Sequence, residues 1–173
     1  MSAGRRVATL GVLVGAALAL NVAEGLVPSP LPFVRIGLAN VVTLLALVTM
    51  GVREAVTVAV VRVLLASAVS GTFGGPAFAL AMGGAVAAAL GMGAAARWAA
   101  PPLGVVGVSM VGAACHNAAQ LSVVARLFGV GAAGLVPIAL LVSAGAGLAT
   151  GLAARFTLDR FDRHAGSWRS ALA

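Results

Sequence analysis

Long apolar runs, broken at intervals by short clusters of Arg, Pro and Gly, make up nearly the whole chain. Six such runs stand out, at residues 7–27, 36–51, 55–70, 77–96, 103–127 and 135–154. A bilayer core about 30 Å thick is crossed by roughly 20 apolar residues in a helix, with a range of about 17–25. The pattern therefore predicts six membrane-spanning helices. Their ends carry physical stop signals. Pro28, Pro30 and Pro32 follow the first run, and each lacks an N–H and disfavours helix geometry before it. Arg53 and Glu54 close the second run in a loop, and a Gly-rich stretch ending at Pro76 closes the third. Arg97, Pro101 and Pro102 separate the fourth from the fifth, and glycines at 129–134 separate the fifth from the sixth. The first run follows Arg5 and Arg6 as a signal peptide would, but it is long, lacks a clear cleavage site and is followed by more spans, so a retained helix is expected.

Charge fixes the orientation of this pattern. An even number of crossings places both ends on one side. That side then holds Arg5, Arg6, Arg53, Arg97, Arg155, Arg160, Arg163 and Arg169, while the other holds Arg35 and Arg126. The bias identifies the Arg-rich side as cytoplasmic, and adding or removing a span would scramble it. Arg62 alone falls inside a span. Composition agrees: of 173 residues, 61% are hydrophobic and 9% charged, against about 25% charged in soluble domains. The mean hydropathy is +1.11. The expected fold is all-α, a polytopic six-helix bundle in the plasma membrane over residues 1–155, followed by a short basic cytoplasmic tail over 156–173.

In lipid, helices approach one another through small residues. Gly11 and Gly15, with Ala19 one turn on, make a small-residue stripe on the first helix, and Gly147 with Gly151 makes another on the sixth. Such a stripe serves either internal packing, the commoner use, or docking of another membrane subunit.

The polar residues at depth are the informative ones, because a buried charge costs at least about 2.5–3.5 kcal/mol on insertion scales and must face protein or water. Asn21 and Glu24 share a face near the outer end of the first helix, and Arg35 and Asn40 flank the start of the second. Glu24 and Arg35 form either a salt bridge that fixes the proline loop or the rim of a pocket receiving a polar solute from outside. Arg62 either snorkels or pairs with a buried anion, Glu24 or a bound phosphate or carboxylate. His116 and Gln120, four apart, stack on one face of the fifth helix beside Asn117. This stripe of donors and acceptors suits a binding surface, with helix–helix adhesion as the alternative. The candidate solute site is thus Glu24, Arg35, Asn40, Arg62, His116, Asn117 and Gln120.

Signals for other functions are weak. The chain has no Walker loop, HExxH, GxSxG or Asp-rich metal motif, so no catalytic residue, cofactor or metal is expected. Its single cysteine, Cys115, reads as a small apolar residue. Asp159 and Asp162 read as solvated partners of Arg160 and Arg163. The Arg residues punctuate apolar runs and do not form a basic face, which argues against nucleic acid.

Three stretches carry a family resemblance: residues 24–47 (EGLVPSPLPFVRIGLANVVTLLAL), 70–84 (SGTFGGPAFALAMGG) and 107–121 (GVSMVGAACHNAAQL). Together they resemble the Gx transporter family, whose members are often labelled heptaprenyl diphosphate synthase component I. The specific part is Gly37-Leu38-Ala39-Asn40 and His116-Asn117 with Gln120. The family pattern has Lys at the position of Arg35, Ser near Gly75 and Gly at Ala119. The family is similar in turn to the substrate-capture components of energy-coupling-factor transporters. That likeness implies a six-helix subunit that binds a vitamin-like solute from outside and delivers it with a membrane coupling subunit and ATPases. Gly11, Gly15 and Ala19 would then be the partner-docking face, and the loop after the first helix would cover the solute. The synthase label implies a different class of role. Joining prenyl diphosphates needs metal ions held by clustered carboxylates, and the acids here are only Glu24, Glu54, Asp159 and Asp162. The alternative is therefore a non-catalytic membrane component of a prenyl diphosphate synthase or of a quinone-linked redox system.

Overall fold

The computed structural model describes residues 2–26, 37–129, 134 and 136–165. Among these residues the chain forms six helices and no strand, as the apolar pattern predicts. They are α1 (Ala3–Leu26), α2 (Leu38–Met50), α3 (Val52–Val69), α4 (Pro76–Trp98), α5 (Ala100–Phe128) and α6 (Val136–Ala165). The breakers act where expected. Pro76 opens α4 at a position where its missing N–H costs nothing. Gly129 closes α5 in the left-handed region (φ 63°), with its amide on the Ala125 carbonyl. Within α5, Gly104 is non-helical (φ 57°, ψ −175°), so the regular helix runs on from there.

The shortest helix is the centre of the molecule. α2 packs against α1, α3, α4 and α6, and eight of its 13 residues are buried, from Ala39 through Val48. A helix apolar on all sides is stable only when surrounded, and Leu44, fully buried, anchors the main core with Val58, Met92, Val108 and Leu158. α4 pairs with α5 and α5 with α6, while Ala59, Val63, Ala85 and Ala89 seal α3 to α4. α1 is peripheral: Leu10, Leu13, Val14, Ala17 and Leu20 touch the core, whereas Val7, Val12 and Val22 face outward.

Among the described residues, four helical segments are long and apolar enough to cross a membrane by length and composition: Ala3–Leu26, Pro76–Trp98, Pro102–Leu127 and Val136–Phe161. α2 and α3 differ from the sequence expectation. At 13 residues, α2 is a shorter apolar helix about 20 Å long at 1.5 Å per residue. α3 has 18 residues and includes Arg53, Glu54 and Arg62. The two meet at a one-residue corner, Gly51, whose φ of 113° suits glycine and whose amide donates to the Ala46 and Leu47 carbonyls.

This corner corrects the placement of Glu54 in a loop. Glu54 sits in the first turn of α3, only 6% exposed, and accepts a hydrogen bond from Arg6 Nη2 in an ion pair that ties α1 to α3. At the other end of the chain the helix runs past Arg155 without a break as far as Ala165. Arg155 Nε lies 3.8 Å from Asp159 Oδ2 one turn on, Arg160 stacks over the Phe156 ring at 4.8 Å, and Leu158 is part of the core.

Candidate functional site

Assembly of the site begins at the N-terminus of α2. Gly37 precedes the helix in the left-handed region (φ 79°), a backbone that most side chains avoid. Its N–H donates to Glu24 Oε1 at 2.5 Å, so a carboxylate from α1 caps the positive end of α2, where negative charge is favoured. The Gly37 carbonyl in turn accepts the Asn40 amide at 2.7 Å. Glu24 thus joins the C-terminal end of α1 to the first turn of α2. Its expected neighbour Arg35 lies outside the described residues.

One turn into α2, Asn40 Oδ1 accepts from Arg62 Nη2 at 3.3 Å. Arg62 is 5% exposed. An arginine this deeply enclosed does not snorkel to water; it is held by protein, which removes the simpler of the two sequence readings.

α5 supplies the facing wall. The His116 ring lies against Gly84 of α4, where an added Cβ would come 2.7–2.9 Å from three of its ring atoms. Close approach of the imidazole therefore depends on the missing side chain. Asn117 Nδ2 donates to Ser143 Oγ of α6 at 2.7 Å, and Ser143 Oγ donates to the Ala139 carbonyl at 2.6 Å. One level deeper, Ser109 Oγ and Thr150 Oγ1 share a buried hydrogen bond of 2.8 Å between α5 and α6.

These groups surround one cavity, lined by Gly37, Asn40, Ser109, His116, Asn117 and Thr150, with Met92 and small residues completing its wall. Its volume is about 20 Å³, room for about one water. Asn40, His116 and Asn117 therefore meet at a single chamber, with Arg62 behind Asn40 and Glu24 behind Gly37. Gln120 lies one turn beyond His116, half-exposed, and lines neither this chamber nor the wider cavity between α5 and α6. Ser109 and Thr150 were not anticipated. Hydroxyls blend into Ala/Gly-rich apolar runs, but Ser109 is seven residues before His116, two turns down the same face, and extending that stripe would have found it.

The small-residue stripes part ways. Gly147 and Gly151 are used internally: an added Cβ would stand 2.7 Å from Met110 Cα and 2.9 Å from Val106 Cα of α5. No described atom outside α1 itself comes within 4 Å of a Cβ added at Gly11 or Gly15, and Ala19 is exposed beside them.

Comparison with known proteins gives one finding. Residues 13–157 match the family described as heptaprenyl diphosphate synthase component I. No curated protein and no solved structure matches the chain.

Proposed function

We propose, from the premise that the chain belongs to the heptaprenyl diphosphate synthase component I family, that it is an integral membrane subunit that captures a small polar solute from outside. The observation that carries this reading is the meeting of Asn40, His116 and Asn117 at one chamber, with the guanidinium of Arg62 buried against Asn40. Donors and a positive charge at that depth suit an anionic or heterocyclic, vitamin-like molecule. In this reading the chain crosses the plasma membrane six times with both termini in the cytoplasm, α2 and α3 completing the crossings begun by the four longer helices. The chamber of about 20 Å³ has to widen to admit a solute, with Glu24, Arg35 and Gln120 serving the approach. Energy comes from a partner, a membrane coupling subunit with ATPases, received on the open Gly11, Gly15 and Ala19 face of α1.

Mass spectrometry of small molecules carried by the detergent-purified protein tests this reading. One solute at near-stoichiometric amount is expected with the wild type, and at least about tenfold less with Arg62→Ala or His116→Ala, the effect of losing roughly 1.4 kcal/mol of binding. Wild type and both variants yielding the same trace profile would overturn it.

The family's name favours a second reading, a non-catalytic membrane component of a prenyl diphosphate synthase. That role requires the chain to co-purify with a soluble prenyltransferase and to change the length or rate of its products, with no solute in the chamber.

A further inference from the structure

α5 and α6 form a wedge. In their inner halves they touch backbone to backbone at Gly147 and Gly151, with the Ser109–Thr150 hydrogen bond alongside. Beyond Asn117 and Ser143 they part and leave an open groove of about 330 Å³. This volume reaches the range of small-molecule sites, roughly 300–1,000 Å³, and is far larger than the polar chamber. Its α5 wall is a single helical face that includes Ala114, Ala118, Leu121 and Ala125, and its α6 wall includes Val136 and Leu140. The lining is mostly methyl and methylene groups, closed at the narrow end by the Asn117–Ser143 hydrogen bond. Both helices lie in segments long and apolar enough to cross a membrane, and Val136 and Leu140 of the wall are exposed, so in the membrane reading the opening faces lipid. Apolar walls at that depth pack against hydrocarbon chains.

Charge marks the wide end. Arg126, exposed in the last turn of α5, is one turn on from Ser122 of the lining, at the i,i+4 spacing that shares a helix face. In the topology proposed above it stands on the non-cytoplasmic side, against the positive-inside bias. A basic residue beside a cleft between membrane helices is suited to an acidic lipid head group.

We infer that the α5–α6 wedge is a lateral binding site for one acyl chain of an anionic phospholipid, the chain lying between Leu121 and Leu140 and the phosphate at Arg126. The site is distinct from the solute chamber and shares only Asn117 with it. It rests on the membrane reading, not on transport of a solute, so the two fail separately.

Photolabelling in proteoliposomes tests it. The full chain is reconstituted with a trace of phosphatidylglycerol bearing a diazirine in one acyl chain, or with phosphatidylcholine carrying the same chain, and irradiated; adducts are mapped by mass spectrometry. Phosphatidylglycerol adducts are expected to concentrate on Leu121, Val136 and Leu140. They should exceed phosphatidylcholine adducts by about fivefold, the attraction of one basic residue near the surface. Arg126→Ala, which leaves every apolar wall intact, is expected to abolish that preference. Ala118→Trp, which fills the wedge, is expected to remove the adducts of both lipids. Labelling equally dense at the exposed Leu90 and Leu152, or equal labelling by the two lipids, overturns the assignment. So does a polyprenyl phosphate probe that labels the wedge where phosphatidylglycerol does not.

Discussion

The same small-residue spacing occurs on α1 and on α6, with opposite outcomes. On α6, Gly147 and Gly151 let α5 approach until its Cα atoms stand where side chains would otherwise begin. On α1, Gly11 and Gly15 face away from every described neighbour, and the helix rests on the core by its other side, through Leu13, Ala17 and Leu20. In water an open glycine stripe would be a weakness with no return, because glycine lowers helix stability by roughly 0.5–1 kcal/mol relative to alanine. In a membrane it lets a second helix come close. A stripe consumed within the fold stabilises this chain, and a stripe left open is available to something else.

Substitutions separate the two. The largest effect is expected at Gly147→Leu, because the obstacle is α5 backbone, which cannot swing aside as a side chain can. Overpacking of this kind costs about 1–3 kcal/mol or more, so the variant should lose most of its monodisperse, folded population in a thermal melt followed by size-exclusion chromatography. Gly11→Leu should leave the purified chain at least as stable as wild type in the same melt, since nothing described obstructs the new side chain and leucine is the better helix former. A Gly11→Leu variant as unstable as Gly147→Leu would erase the distinction. Thr150→Val should cost least among the destabilising changes, about 0.6 kcal/mol for one interhelical hydrogen bond, and this is readable as a small fall in melting temperature. Applied to the Gly151→Ala variant, the same change should be less than additive, since both loosen one contact surface.

Much of the fold is legible in the sequence. Apolar run lengths and Pro/Gly breakers locate all six helices, because hydrocarbon and backbone hydrogen bonding leave few alternatives; the C-terminal end of α6, which runs past the apolar stretch to Ala165, is the one end missed by more than a few residues. Two further things escape. Run length does not reveal that α2 is a 13-residue core helix, since an apolar stretch enclosed by protein and one enclosed by lipid have the same composition. Hydropathy likewise assigns Glu54 to a loop, although a carboxylate can be buried once Arg6 arrives from 48 residues away. The candidate site was legible through its costliest members: Glu24, Asn40, Arg62, His116 and Asn117 all belong to one connected region. Ser109 and Thr150 were not, because a hydroxyl that bonds within its own helix costs little at depth; Thr150 donates to the Ala146 carbonyl at 2.8 Å.

The carboxylate of Glu24 on the amide of Gly37 has a mechanical meaning. α1 is pinned at one end to α3 through Arg6 and Glu54, and at the other to the turn that carries Asn40. In the proposed reading, a partner pulling sideways on its bare flank would displace the chamber wall. Thermodynamic reciprocity would then require the converse: a molecule seated against Asn40 would alter how tightly α1 grips that partner.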